Sequence, residues 1–221
     1  MARNMIASAP VDVLNLALGK MGVPPVNAFD LTSGQVPETQ EGRNAALFYN
    51  AALEAVQRAY YWEELITHTD ITQTGEEYGA YQFPLPADCL RVYSVADPET
   101  DDTGGLPSTT YTQLVHDSQY HYEVRESAVW VEGPTAITLW YIARGTDPSL
   151  WSSELVECVV TRLASDAVML VRGSRELAKD LRAEYETLTK PEAKRLQSKY
   201  KSSRNRYPHR YQSIRVRQHY R

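Results

Sequence analysis

Hydrophobic and polar positions change their rhythm twice along this chain of 221 residues. The first rhythm is helical. Val13, Leu14, Ala17, Leu18 and Met21 recur at the 3.6-residue period, with Ser8-Ala9-Pro10 offering a hydroxyl N-cap and a first-turn proline. Gly22 and Pro24-Pro25 stop the run, and a loop through Ser33-Gly34 and Pro37 follows. A second helix is predicted from Glu38 to Tyr60. Ala45, Phe48, Ala52, Val56 and Ala59 mark its buried stripe, with Arg43, Asn50, Glu54, Gln57 and Arg58 outside. The alanines of that stripe let another helix approach closely. Tyr60-Tyr61-Trp62 then reads as a hinge into a different layer.

From Glu63 to Thr146 strand signals replace helical ones. The prolines extend Tyr81 to Pro86, and Leu90, Val92 and Ser94 alternate with Arg91, Tyr93 and Val95. Asp97 to Pro107 is a solvated acidic loop. Tyr120 to Val124 and Ala128 to Val131, joined by a short turn, predict a hairpin. Ala136 to Ala143 predicts a strand covered on both faces, and the region reads as one antiparallel sheet between helices.

Asp147-Pro148, with Ser152 as a second cap, opens a third helix whose stripe is Leu155, Val159, Leu163, Ala167 and Leu170. Gly173-Ser174 ends it and caps a fourth, which carries Leu177, Leu181, Tyr185 and Leu188 on one face. The short connection implies an antiparallel helical hairpin. Thr189-Lys190-Pro191-Glu192 fits either a new capping box or a kink in one long helix. Ala193, Leu196 and Tyr200 keep helical spacing, and beyond Lys201 nothing does. The chain is thus expected to be α+β. It has a helical bundle of about four helices, an inserted antiparallel β-sheet domain and an extended C-terminal arm. The expected divisions are residues 1–62, 63–146, 147–200 and 201–221.

Composition sharpens the two ends of this picture. Up to Thr189 the chain holds twelve basic residues against twenty-seven acids, a net −15; from Lys190 it holds eleven against one, a net +10. Such a split points to one end that finds a partner. Fifteen tyrosines against three phenylalanines suit half-buried strand faces and interfaces. The N-terminus lacks an apolar stretch long enough for a signal sequence, and no run reaches the roughly 20 apolar residues of a membrane span. A soluble cytoplasmic protein is expected.

Candidate chemistry is sparse. Cys89 and Cys158 form no metal-ligand pattern and read as two buried small hydrophobes. His116, Asp117, His121 and Glu123 do not converge on one strand face as metal ligands must. Asp97, Glu99, Asp101 and Asp102 lack the glycine and glutamate spacing of a calcium loop. No phosphate-cradling glycine motif and no nucleophile elbow occur, so no catalytic residue, cofactor site or metal site is assigned. The candidate partner-binding residues are Tyr200, Arg204, Arg206, Tyr207, Arg210, Tyr211, Arg215, Arg217, Tyr220 and Arg221. Arginine forks and tyrosine rings suit phosphates and bases as well as they suit carboxylates at a protein interface. Composition leaves a nucleic-acid-binding arm and a protein-binding arm both open.

The order of segments bears on that choice. Asp12 to Gly22 comes first, then Ala45 to Tyr60 with Tyr61-Trp62. Tyr81 to Val92, Leu139 to Ile142 and Asp147 to Trp151 precede the helical pair. This series, over about residues 9 to 196, resembles the tail tubular protein A family, the head-to-tail adaptors of short-tailed bacteriophages. The resemblance implies a structural virion protein of the tail or neck, made in the host cytoplasm. It implies a homo-oligomeric ring of about twelve subunits beneath the portal, continuing the DNA channel. The portal protein, a tail nozzle protein and tail fibres are its implied partners, the basic arm docks on the portal or a neighbouring subunit, and DNA passes without sequence-specific binding. Neither a membrane nor an enzymatic activity is implied.

Overall fold

The structure, a computed structural model, describes residues 7–30, 33–96, 98 and 120–202, with 197–202 described by backbone alone. Helices α1 (Pro10–Lys20), α2 (Gln40–Ala46) and α3 (Tyr49–Ala59) come before the strands. Helices α4 (Ser153–Arg172), α5 (Arg175–Glu184) and α6 (Lys190–Ser202) come after them. Between lie β1 (Ile66–Thr72), β2 (Gly75–Glu77), β3 (Ala80–Pro84), β4 (Cys89–Ala96), β5 (Tyr122–Arg125), β6 (Ala128–Glu132) and β7 (Ala136–Ala143). The fold is mixed α and β.

Helix α1 starts as the sequence suggests, through a different group. Ala9 occupies the cap position, and the Asp12 carboxylate reaches back to accept from the Ser8 and Ala9 amides and from the Ser8 hydroxyl. Those bonds hold the Asp12 carboxyl below its ordinary range, the Ser8 amide contributing most. The expected helix from Glu38 to Tyr60 is two helices, with a turn at Leu47-Phe48. That turn re-phases the second half. Tyr49, Ala52, Leu53, Val56 and Gln57 are buried, Phe48 and Ala59 only partly so, and Gln57 lies inside rather than outside.

Helix α4 is the axis of the helical layer. Ser152 caps it, accepting from the Leu155 amide, while Asp147 caps only a short 3-10 turn at Pro148–Leu150. Leu155, Val159, Leu163 and Ala167 are fully buried as the stripe predicts, but Leu170 is exposed, while Val168 and Val171 on either side of it pack on the core. Gly173 in the left-handed region (φ 66°) and the Ser174 side chain end α4 and cap α5 as expected. α5 folds back on α4 through Leu177, Leu181 and Tyr185.

The ambiguous Thr189–Glu192 segment is a continuous helix and not a new start. A π turn over Tyr185–Thr189 joins α5 to α6, with the Lys190 amide donating to the Tyr185 carbonyl five residues back. Placing that wider turn directly before Pro191 accommodates a residue that has no amide to donate. The wider turn also changes where the side chains within it and after it point. Leu188 swings outward, 65% exposed, and Ala193 turns in.

The expected single sheet is two. One has the order β1-β7-β4, the other β2-β3-β6-β5, with every pairing antiparallel. β7 spans Ala136 to Ala143 as predicted and is buried on both faces because it is the central strand between two cores. Its Ile137, Leu139 and Tyr141 join Val92, Val95, Phe83, Val129 and Val131 between the sheets. Ile142 on the other face joins the helical core with Trp62, Leu65 and Trp151. Register irregularities between Cys89 and Arg91 and between Val92 and Ser94 break the expected alternation in β4, so Ser94, Val95 and Ala96 are all buried. The turn joining β5 to β6 carries Glu126 at φ 53°.

Candidate interaction surfaces

Three features of the described surface could meet a partner. The first is the base of the C-terminal segment. α6 is seated on the helical core by Ala193 and by Tyr60, whose hydroxyl donates to the Lys194 carbonyl at 3.3 Å. The Lys194 ammonium lies 5.8 Å from the Tyr60 ring centre. At the start of the π turn Tyr185 is buried between Arg162, at 5.7 Å, and Lys190, at 5.6 Å. Burial pushes its hydroxyl up to about 12. Of the predicted partner-binding residues, Tyr200 belongs to α6 with its side chain outside the described residues. Arg204, Arg206, Tyr207, Arg210, Tyr211, Arg215, Arg217, Tyr220 and Arg221 lie outside them altogether.

The second is a tyrosine cluster where the helical and sheet layers meet. Tyr61 and Tyr93 stack edge-on with ring centres 4.9 Å apart, and the Arg91 guanidinium sits 4.4 Å over Tyr61. Tyr60 packs edge-on against Trp62 at 5.7 Å, and the Trp62 indole donates to the Val56 carbonyl. Desolvation raises the Tyr60, Tyr93 and Tyr122 hydroxyls, so these three keep their donors across the physiological range. The hinge expected at Tyr60-Tyr61-Trp62 is this junction.

The third was missed in the sequence. Leu47 is 74% exposed, Leu170 50% and Met169 43%, all at one end of the helical layer. The Asn44 amide donates to the Leu170 carbonyl at 3.4 Å, which brings the end of α2 against the end of α4. Leu47 lies three residues beyond Asn44 and therefore on the same face. The available signal was a leucine standing off the Ala45–Ala52 stripe; Leu170 looked like core because its spacing continued that of α4.

The remaining candidates carry no site. Among the described residues no group of three or more His, Cys, Asp or Glu side chains gathers as metal ligands. His121 is exposed, and Glu123 is bonded to Arg125 at 2.5 Å. His116, Asp117, Glu99, Asp101, Asp102 and Asp97 lie outside the described residues. Cys158 is buried, but Cys89 is only half-buried, and burial raises both thiols, to about 12 and about 11. Neither is poised as a nucleophile. No protein-family model matches this sequence, and no curated protein matches it.

Proposed function

We propose that this chain is a structural adaptor of a short-tailed phage virion, a ring subunit that joins the portal to the tail and continues the DNA channel. Under this reading the helices are a bundle into which the sheets are inserted, and the residues after Lys201 are an arm that docks on the portal. The observation that carries it is the division of charge: net −15 before Lys190 and net +10 from there on. An acidic body repels DNA and lets it slide through a lumen, while a basic, tyrosine-rich end is suited to latch onto a complementary surface. Ring contacts are heterologous, so each subunit needs two different faces. The seating of α6 by Tyr60 and Ala193 supports a fixed base for the arm. Among the described residues no helix is long and apolar enough to cross a membrane.

The test is capture by purified portal rings, read by electron microscopy and co-sedimentation. The full chain is expected to cap the rings. A chain ending at Lys201, checked for native circular dichroism, is expected not to; undiminished capture by that truncation removes the arm from the reading. A titration with duplex DNA at two salt concentrations separates the alternative. Tight binding that falls steeply with salt would make the arm a nucleic-acid-binding segment, because each phosphate contact releases counterions.

A further inference from the structure

We infer that residues 203–221 of this chain dock on the outer face of its own four-stranded sheet, where the Trp130 indole and the Glu77 and Glu132 carboxylates meet the arginines of that segment. The inference goes beyond the adaptor reading and does not depend on it.

Strand register builds the face. Phe83, Val129 and Val131 turn into the core between the sheets, so their neighbours along each strand turn outward. Pairing sets Gln82, Trp130 and Glu123 in one row across the outer side, and Glu77, Ala80 and Glu132 in the next. Trp130 is half-buried and belongs to neither hydrophobic core. The Arg125 guanidinium lies 5.9 Å from its ring centre, which shows the kind of group this indole accepts. Arg125 is the one lysine or arginine in these four strands, and Glu123 already binds it at 2.5 Å, with Glu77 adding to the field it feels. Glu77 and Glu132 are exposed, and neither forms an ion pair among the described residues. Next to Glu77, at the tip of the β2–β3 hairpin, Tyr78 is 99% exposed at φ 51°, a strained position from which its ring covers nothing of its own body.

Charge and reach select the occupant. Residues 203–221 hold six arginines and three tyrosines and no acid, the complement of a face with three glutamates and one base that is already paired. Guanidinium forks suit those carboxylates and stack on the rings beside them. The segment also starts close to the sheet. Lys194 of α6 sits on Tyr60, the adjacent Tyr61 packs against Tyr93 of β4, and Tyr61 and Arg91 both act on the hydroxyl of Tyr122 in β5. The nineteen residues after Ser202 span about 60 Å when extended, against a body roughly 40 Å across, so they reach the face without a second copy. Docked there, the arginines are covered by carboxylates and withheld from phosphates until a stronger partner displaces them.

Timed trypsin digestion of the full chain tests this, with mass spectrometry reading the bonds after Arg210 and Arg215 and a synthetic peptide of residues 203–221 as the undocked reference. At low salt these bonds are expected to be cut at least about tenfold more slowly in the full chain than in the peptide, because cleavage follows the undocked fraction. In high salt the two rates should converge, since exposed charges are screened. Glu77→Gln with Glu132→Gln, and separately Trp130→Ala, are expected to remove most of the protection without lowering the melting temperature, because none of these side chains is core. Glu176→Gln with Asp180→Asn, which alters exposed acids on α5 instead, is expected to leave it intact. Bonds cut as fast as in the peptide overturn the inference, as do sheet variants protected like wild type. An α5 variant that loses as much protection overturns it too, by making the attraction a property of the whole acidic body. Protection that appears only as protein concentration rises overturns it by assigning the contact to another copy. No portal ring enters the assay, so this inference and the adaptor reading fail separately.

Discussion

Gln57 ties the helical layer to the connection that leaves the sheets, and replacing it tests whether that tie is structural. The side chain is 0% exposed; its amide donates to the Gly145 carbonyl at 2.7 Å, and its own carbonyl oxygen meets no donor among the described residues. Gly145 is fitted closely against Leu65, Trp151 and Gln57 itself. Gln57→Leu removes one good hydrogen bond and one unsatisfied acceptor together. These oppose each other, so a loss of only about 1 kcal/mol is expected. Gln57→Glu keeps the shape and removes the donor whenever the acid is ionised. A buried carboxylate against a carbonyl costs roughly 3 kcal/mol or more at neutral pH, which for a chain of this size lowers the melting temperature by about 6 °C or more. The pH dependence has a definite sign. Burial raises the introduced acid's folded value above its unfolded value of about 4.3, so the folded state binds the extra proton. Stability relative to wild type is then near complete below about pH 4, where the protonated acid donates to Gly145, and falls as pH rises between the two values. Urea unfolding at several pH values measures it. A Gln57→Glu protein as stable as wild type at pH 7, or equally destabilised at pH 4, would refute the burial argument.

Other consequences come from single contacts. Lys20 bridges Glu157 of α4 at 2.8 Å and Glu184 of α5 at 2.7 Å, yet both glutamates are well exposed, so Lys20→Met should cost only about 1 kcal/mol, less at high salt. Desolvation opposes that lysine's charge, but the two glutamates outweigh it and its value is raised. Its contribution is therefore full below the ordinary lysine value and lost as pH rises through the raised one, which denaturation at pH 9 to pH 12 reads out (~10.4 being the reference). Asp12 behaves oppositely. Its lowered value means Asp12→Asn should cost about 1 kcal/mol above the ordinary aspartate range, with the difference disappearing as acid protonates the wild-type carboxylate. Alkylation under native conditions should modify half-buried Cys89 well before buried Cys158, and mass spectrometry of timed samples checks the order.

Elements whose cause is local were legible in the order of residues. Gly173 followed by Ser174 ends one helix and caps the next because only glycine takes the left-handed turn cheaply and a serine oxygen reaches the third amide on. The alternation from Ala136 to Ala143 gave a strand at its observed limits. The division of charge at Lys190 is likewise a property of the sequence alone. Features that depend on packing partners were not legible there. The turn at Leu47-Phe48 re-phased α3 and drew Gln57 inside, because Gly145 arrives from a distant connection to accept its proton. The π turn before Pro191 contains Leu188 and takes it out of a stripe that its spacing continued, since the wider turn changes the angle between successive side chains. Leu170 continued the spacing of the stripe and is still exposed although Val168 and Val171 pack on the core, because periodicity names a face and not which residues at its edge the neighbouring helices cover. The division into two sheets likewise depended on which strands pair across the chain, a matter of long-range register that no local pattern encodes.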